Sequence, residues 1–354
     1  MHRLPRRSSL VTQTVDVLRE AILAGEWVGV LPGEHELAQR LQVSRVTLRA
    51  ALTELEQDHW LKGGQGRRRE IVASAGREAG PPMSQRAVVM VSAVPAHQLP
   101  AAAVLWMDKL REHLADGGWL LEFQECAAAY RRQPGAALEA LRARLRPAAW
   151  VLYRSTMEMQ RWYAERRLPA VVAGSLHPEI KLASVDVDFT ACCRHAAGRL
   201  LAAGHQRLAI VRPDTKIAGD LESVVGFEQG AGGPVITVLH QGTVESVVTG
   251  LERVFSARNR PTGLFVFHVP HLLTVLGWLQ QRGLGVPQEI AVVCRDHDPL
   301  LEHMIPVPAC YAPNVDLFAR KLSRLVTDRL DGEASAPRTV RIMPTFVKGG
   351  TLRK

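Results

Sequence analysis

The segment LPGEHELAQRLQVSRVTLRAALTELEQDHWLKGGQGRRREIV, residues 31–72, limits the possible folds of this chain more than any other. Its pattern is a helix, a tight turn, a second helix and a basic β-hairpin. That is the layout of a winged helix-turn-helix, which sets its second helix in a DNA major groove. Ser44 supplies an N-cap oxygen for the second helix. Leu48, Ala51, Leu52 and Leu55 follow at i, i+3, i+4 and i+7 and form one buried stripe. Arg45 and Arg49 are four apart, so they share a face away from that stripe. Two guanidiniums at an exposed helix start suit phosphates and guanine edges.

The flanking sequence agrees. Residues 8–25 have the period of an amphipathic helix, with Val11, Val15, Leu18 and Ile22 on one side and Gly25 as a stop. Residues 34–42 supply the first helix of the pair, with Leu37, Ala38 and Leu41 facing inward. Two β runs follow, Trp60–Lys62 and Glu70–Ala73. The glycines at 63, 64 and 66 permit positive φ in the turn between them. Arg67, Arg68 and Arg69 crowd the return arm, where they are expected to track phosphates or reach a minor groove. Without the helices before it, the same run reads as a solvated basic stretch.

On LPGEHELAQRL, VSRVTLRAAL and the glycine wing ending in basic residues, residues 8–73 resemble the DNA-binding domain of the GntR family of bacterial transcription regulators. The resemblance implies that Arg45 and Arg49 contact operator DNA and that the wing glycine, Gly66, approaches its backbone. The expected DNA-facing set is His35, Ser44, Arg45, Thr47, Arg49, Gly66, Arg67, Arg68 and Arg69. His35 stands where the family usually has Arg, and Gly33 where it often has Ser or Thr. Losing that Arg removes a permanent charge.

A chain of 354 residues exceeds one ordinary domain, and the head takes only its first fifth. The net charge of +9 permits a nucleic-acid partner. Charge alone does not locate it: residues 1–77 hold 12 Lys+Arg against 9 Asp+Glu, and the other +6 lies downstream. Five cysteines without a CxxC pair fit reduced thiols in a cytosol, and no metal finger is present. The N-terminus lacks the apolar run of a signal peptide and no stretch is long enough to span a bilayer, so a cytoplasmic protein without a membrane partner is expected.

The head is assigned to residues 1–75 and a linker, rich in small and proline residues, to 76–86. Residues 87–354 then alternate strand and helix. Near-continuous apolar runs such as AVVMVSAV (87–94), AAWVLY (148–153), GLFVFH (263–268) and IAVVCR (290–295) suit strands buried on both faces. Between them lie helices, among them 101–117, 135–146, 189–203, 243–257 and 270–282. This is a βαβ series in two consecutive halves, hence α/β with two doubly wound lobes. Ligands bind such sheets beyond the carboxyl ends of the strands, here between the lobes.

VDFTACCRHAAGRLLAAGHQRLAIV, RPTGLFVFHVPHLLTVLGWLQQRGLGVPQEIAVVCRDHDPL and the closing TFVKGG resemble the ligand-binding domain of LacI-family repressors. The resemblance implies a periplasmic-binding-protein-like fold whose lobes comprise about 87–186 with 313–335 and about 187–312 with 336–350. Such sensors usually carry Asn-Asp where this chain has His268–Val269, Arg where it has Ser223, and Asp-Asp in the stretch Cys294–His297. Only Asp296 matches directly, so most of the usual grip on sugar hydroxyls is missing. Ser92, Tyr153, Ser155, Asp188, Ser223, His268 and Asp296 are the expected ligand residues. His268, His271, Asp296, His297, Asp298 and His303 could also be read as metal ligands, but polar cleft lining explains them as well, and no metal or other cofactor is expected. Trp106, Trp119, Trp150 and Trp162 are read as packing before sugar stacking.

The sequence thus points to a ligand-responsive DNA-binding transcriptional regulator, a repressor of a carbohydrate-related operon. Its expected partners are double-stranded operator DNA, a small-molecule effector of the sugar class and a second copy of the chain. A solute-binding protein without regulatory role and an enzyme on the same two-lobed fold are the alternatives. No nucleophile motif or phosphate loop supports the enzyme.

Overall fold

The computed structural model describes residues 10–23, 27, 29–58, 60–63, 69–72, 86–331 and 338–353. They fall into two compact units, one within residues 1–82 and one within 83–354.

The first unit holds α1 (Leu10–Leu23), α2 (Glu34–Arg40), α3 (Arg45–Gln57), β1 (Leu61–Lys62) and β2 (Glu70–Ile71). The apolar stripes of the helices meet in one core of Val15, Leu18, Leu37, Leu48, Leu52 and Leu55. Each of these side chains contributes about 1.5–3 kcal/mol through burial. β1 and β2 pair antiparallel, Leu61 opposite Ile71, and Val30 bridges to Glu70 beside them. Gly63 opens the turn at φ +142°. Gly25, Gly64, Gly66, Arg67 and Arg68 lie outside the described residues.

The second unit opens with β3 (Ala87–Ser92), α4 (Ala101–Asp116), β4 (Leu120–Glu125), α5 (Gly135–Leu145), β5 (Ala149–Tyr153), α6 (Met157–Glu165), β6 (Ala170–Ala173) and β7 (Ala183–Val187). It continues with α7 (Phe189–Ala202), β8 (Leu208–Pro213), α8 (Ala218–Ala231), β9 (Ile236–His240), α9 (Val244–Phe255), β10 (Gly263–Val266), α10 (Val269–Gln281) and β11 (Ala291–Cys294). It closes with β12 (Cys310–Ala312), α11 (Val315–Leu330), β13 (Thr339–Ile342) and β14 (Thr345–Val347). Two large sheets result, β13-β7-β6-β5-β3-β4 and β11-β10-β8-β9, parallel throughout, and β12 and β14 form a separate antiparallel pair.

Each half places its first strand beside its second on one side and its third on the other. The strand order therefore reverses next to β3 and next to β8, where doubly wound sheets open a crevice. In the first lobe α4 and α11 cover one sheet face, and α5 and α6 the other. In the second, Gly226 and Gly230 let α8 press on α7; a Cβ on either would lie 2.3–2.4 Å from a backbone oxygen of Thr190 or Arg194. That close fit fixes α8, whose first turns face the cleft.

One expected boundary needs correction. Residues 336–350 were assigned to the second lobe, yet Thr339–Ile342 pairs with Ser184–Val187 and completes the first sheet. Only Thr345–Val347 goes on to pair with β12. TVRI is an alternating edge strand, and alternation alone does not say which sheet it joins. The five cysteines are unpaired, and four are buried.

Candidate functional site

Two surfaces carry the candidate chemistry. The first is the exposed start of α3. The Ser44 hydroxyl accepts a hydrogen bond from the Thr47 amide at 3.1 Å and lies 2.8 Å from the Thr47 hydroxyl, so both side chains serve the cap. Arg45 and Arg49 are exposed, as expected from their spacing. The Arg45 Nη2 lies 3.0 Å from His35 Nδ1. A guanidinium cannot accept, so in this contact Nδ1 is the acceptor and the ring proton sits on Nε2. Arg49 donates to Glu34 at 2.8 Å. Val46, not singled out from sequence, is 79% exposed between the two arginines. An apolar tip there suits a thymine methyl.

Arg69 departs from expectation. It was read as a phosphate contact, but it is 7% exposed and donates to Glu34 at 2.9 Å and Glu56 at 2.5 Å. It ties β2 to both helices of the pair. The Arg49 and Arg69 hydrogen bonds hold the Glu34 carboxyl below its usual range.

The second surface is a cavity of about 150 Å³ between the lobes. A cavity of that order holds one six-membered ring. Trp106, Tyr153 and Phe318 form an aromatic wall, with ring centroids 5.8 and 5.0 Å from Trp106. Arg154, Ser155, Ser175, Asp186, Asp220, Arg295 and Asp296 supply the polar lining. Arg154 sits at φ +46°, a left-handed backbone that non-glycine residues seldom adopt.

Arg295 organises the second-lobe side. It is 5% exposed, and its guanidinium lies between the Phe189 and Phe267 rings at 4.7 and 4.3 Å. Its Nη1 donates to Asp220 at 2.7 Å and Ser223 at 3.0 Å, and its Nε to Asp296 at 3.0 Å. Burial alone would raise the Asp220 carboxyl, but the charges of Arg295, Arg154 and His268 overcome it and bring it down to about 2. Asp296 is likewise lowered, by Arg295 and by His268, whose Nδ1 is 2.7 Å from its Oδ2.

The first-lobe side is wired differently. The Ser175 hydroxyl lies 2.8 Å from Asp186 and 2.8 Å from Glu222. One hydroxyl can donate to only one of them. Arg341 grips Glu222 with two hydrogen bonds of 2.7 Å. Asp186 is the carboxyl whose hold on a proton is strengthened: burial pushes it up to about 7, against hydrogen bonds from Ser175 and the Val187 amide. Glu222 is on α8 while its partners belong to the first lobe, so this cluster bridges the cleft.

Of the expected ligand residues, Tyr153, Ser155 and Asp296 line the cavity. The others do not. Ser92 is buried and accepts from the Val94 amide. Asp188 caps α7 through the Ala191 amide. Ser223 and His268 stand behind Arg295 and Asp296 as their hydrogen-bond partners. Sequence reading missed Asp186, Asp220 and Arg154, and quoted Arg295 only as a departure from a family pattern. Trp106 lines the cavity, whereas Trp150 and Trp162 pack in the core and Trp119 against it. Among the described residues, no three His, Cys, Asp or Glu side chains converge as a metal would require. No helix among them is long and apolar enough to cross a membrane.

The described residues thus form a winged helix-turn-helix with outward cations and a two-lobed α/β domain with a cavity between its lobes. Comparison with known proteins gives the families. Residues 10–71 match the family model of bacterial regulatory proteins, gntR family, and residues 197–352 that of the periplasmic binding protein-like domain. The first unit thus matches the gntR-family model, and part of the second unit the periplasmic binding protein-like one. It is 29% identical over 167 residues to the HTH-type transcriptional regulator CelR of Thermobifida fusca, covering 45% of this chain and 49% of that protein. The matched stretch thus spans about half the length of that relative. In fold it resembles a transcriptional regulator CelR–cellobiose complex, at TM-score 0.67 and 18% identity over 98% of this chain and all of that one. A putative LacI transcriptional regulator from Bacillus cereus subsp. cytotoxis NVH 391-98 gives TM-score 0.67 at 16% identity over 76% of this chain and 98% of that one.

Proposed function

We propose that this protein is a ligand-responsive transcriptional repressor of a carbohydrate-related operon and not an enzyme. The observation that carries the reading is the presence, in one chain, of a recognition helix with exposed Arg45, Val46 and Arg49 and a two-lobed domain with an aromatic-walled polar cavity. The head occupies 1–75, the linker 76–86 and the sensor 87–354. The protein acts in the cytoplasm as a homodimer, because a two-fold operator needs two heads at fixed spacing.

The effector is a small hydroxylated ring. Trp106 or Tyr153 covers its apolar face, and Asp296, Ser155 and Arg154 bond its edge. The cellobiose bound by the neighbouring CelR structure supports a carbohydrate, while the cavity volume favours a single ring. The ligand must prefer one lobe arrangement, or DNA affinity would not change. Its binding exchanges with the Ser175–Glu222–Arg341 bridge, which holds the lobes together without it.

The test begins with selection of bound fragments from random duplex DNA, followed by titration of the selected site at fixed salt. Arg45→Ala and Arg49→Ala should each weaken binding to that site by about 1–3 kcal/mol. Undiminished affinity in both variants sinks the assignment of α3 as the recognition helix.

A further inference from the structure

Outside the head, one stretch of the first lobe is strongly basic. Residues 131–167 carry nine arginines, no lysine and three glutamates, a net +6. Arg154 lines the cleft; the other eight are exposed. Their placement follows from the packing beneath them. The turn Ala127–Tyr130, α5 and α6 lie side by side on one face of the first sheet. Leu138, Leu141, Met159, Trp162 and Tyr163 point inward, so the polar positions between them form the outer face of this layer.

The protein does not neutralise this face. Among the described residues only Arg142 of the eight has a carboxylate at ion-pair distance, Glu139. Arg144 bonds a glutamine and Arg161 a thioether, while Arg166 stacks on the Trp162 ring at 4.4 Å. Like charges so close repel within a Debye length of about 8–10 Å. A face held at that cost with a single internal ion pair fits an external polyanion.

We propose that this α5–α6 face of the sensor binds the phosphate backbone of double-stranded DNA. Guanidiniums match phosphate oxygens two at a time, and phosphate contacts need no particular sequence. A duplex held by the head is present at raised effective concentration for a second basic surface that the linker lets it reach. The proposal goes beyond the recognition helix, and it rests on the reading of the chain as a DNA-binding protein.

The test uses the full chain and a fluorescent duplex of about 40 base pairs of unrelated sequence, titrated from about 50 to 200 mM salt. Three variants are compared: Arg131→Gln with Arg132→Gln and Arg161→Gln on this face; Arg45→Ala with Arg49→Ala in the head; and Arg320→Gln with Lys321→Gln and Arg324→Gln. The last set removes the same charge from α11, on the opposite layer. Circular dichroism confirms that each is folded.

The face variant should lower the log–log salt slope by about 0.9 per lost phosphate contact and weaken low-salt binding about tenfold or more. The head variant should keep that part of the slope, and the α11 variant should match wild type. A face variant with unchanged affinity and slope overturns the proposal and leaves the face to another anionic partner, such as an acidic protein. An equal loss in the α11 variant also overturns it, because net charge alone would then suffice. A head variant with undiminished binding would instead count against α3 and leave this face standing.

Discussion

Arg69 in the head and Arg295 in the sensor are both buried, and each meets two carboxylates, yet only one of them faces a cavity. Arg69 spends its hydrogen bonds on Glu34 and Glu56 and joins β2 to α2 and α3. Arg295 meets Asp220 and Asp296, lies between two aromatic rings, and still lines the space between the lobes. Glu34 and Glu56 keep 23% and 24% of their side-chain exposure, whereas Asp220 keeps 3%. A basic residue in a basic run can therefore be a structural tie, and an arginine where an acid was expected can organise a site. Burial of one counter-ion, Asp220, separates the two cases, since Asp296 keeps 31% of its exposure.

The largest effect should come from Arg295→Ala. It leaves the deeply buried Asp220 without its principal cation, and breaking such a pair costs about 3–5 kcal/mol. Urea unfolding of the full chain, followed by sensor tryptophan fluorescence, measures it. Arg69→Met should cost less, about 1–3 kcal/mol, because water can reach Glu34 and Glu56 once the guanidinium is gone. A head as sensitive as the sensor would break the comparison.

Smaller again is the pH response of the bridging cluster. The Asp186 pKa is raised from 3.8 to about 7, so the folded protein holds this proton more tightly than the unfolded chain. The stabilisation is complete below about pH 4 and is lost as pH rises through about 7. Asp220, lowered to about 2, has the opposite sign: its contribution is present above about pH 4 and fades as pH falls toward 2. Between about pH 5 and 8 only Asp186 of these two titrates, and the wild-type melting temperature should fall more than that of Asp186→Asn. Parallel curves would remove the neutral Asp186 from the account.

Most of the fold is visible in the sequence. Strands β3, β5, β6, β10 and β11 stand out because each is an apolar run buried on two faces, and α3 because Ser44 and the Leu48–Leu55 stripe mark its cap and inner face. The short polar β13 is not visible as a first-lobe strand, because its partner is 155 residues earlier at Ser184. The cavity was only half legible. Strand ends point to it, and Tyr153 and Asp296 follow from that rule. Asp188 is read as a cleft residue because it closes the segment ASVDVD, yet the strand ends at Val187 and Asp188 turns away to cap α7. Ser223 and His268 were close in space but one layer too deep. Side-chain depth depends on what packs in front, and here Arg295, a long side chain from a neighbouring loop, occupies that layer.

The central claim is that ligand and DNA use separate sites of one molecule, coupled through the sensor. The direct measurement is affinity for the selected DNA site, by fluorescence anisotropy, with and without saturating monosaccharides and cellobiose, in wild type and Asp296→Ala. The account predicts that one of these sugars changes wild-type affinity by about 5-fold or more, while Asp296→Ala binds the DNA as wild type does and no longer responds. A full response in Asp296→Ala, or wild-type DNA affinity that no compound of the panel alters, would contradict it.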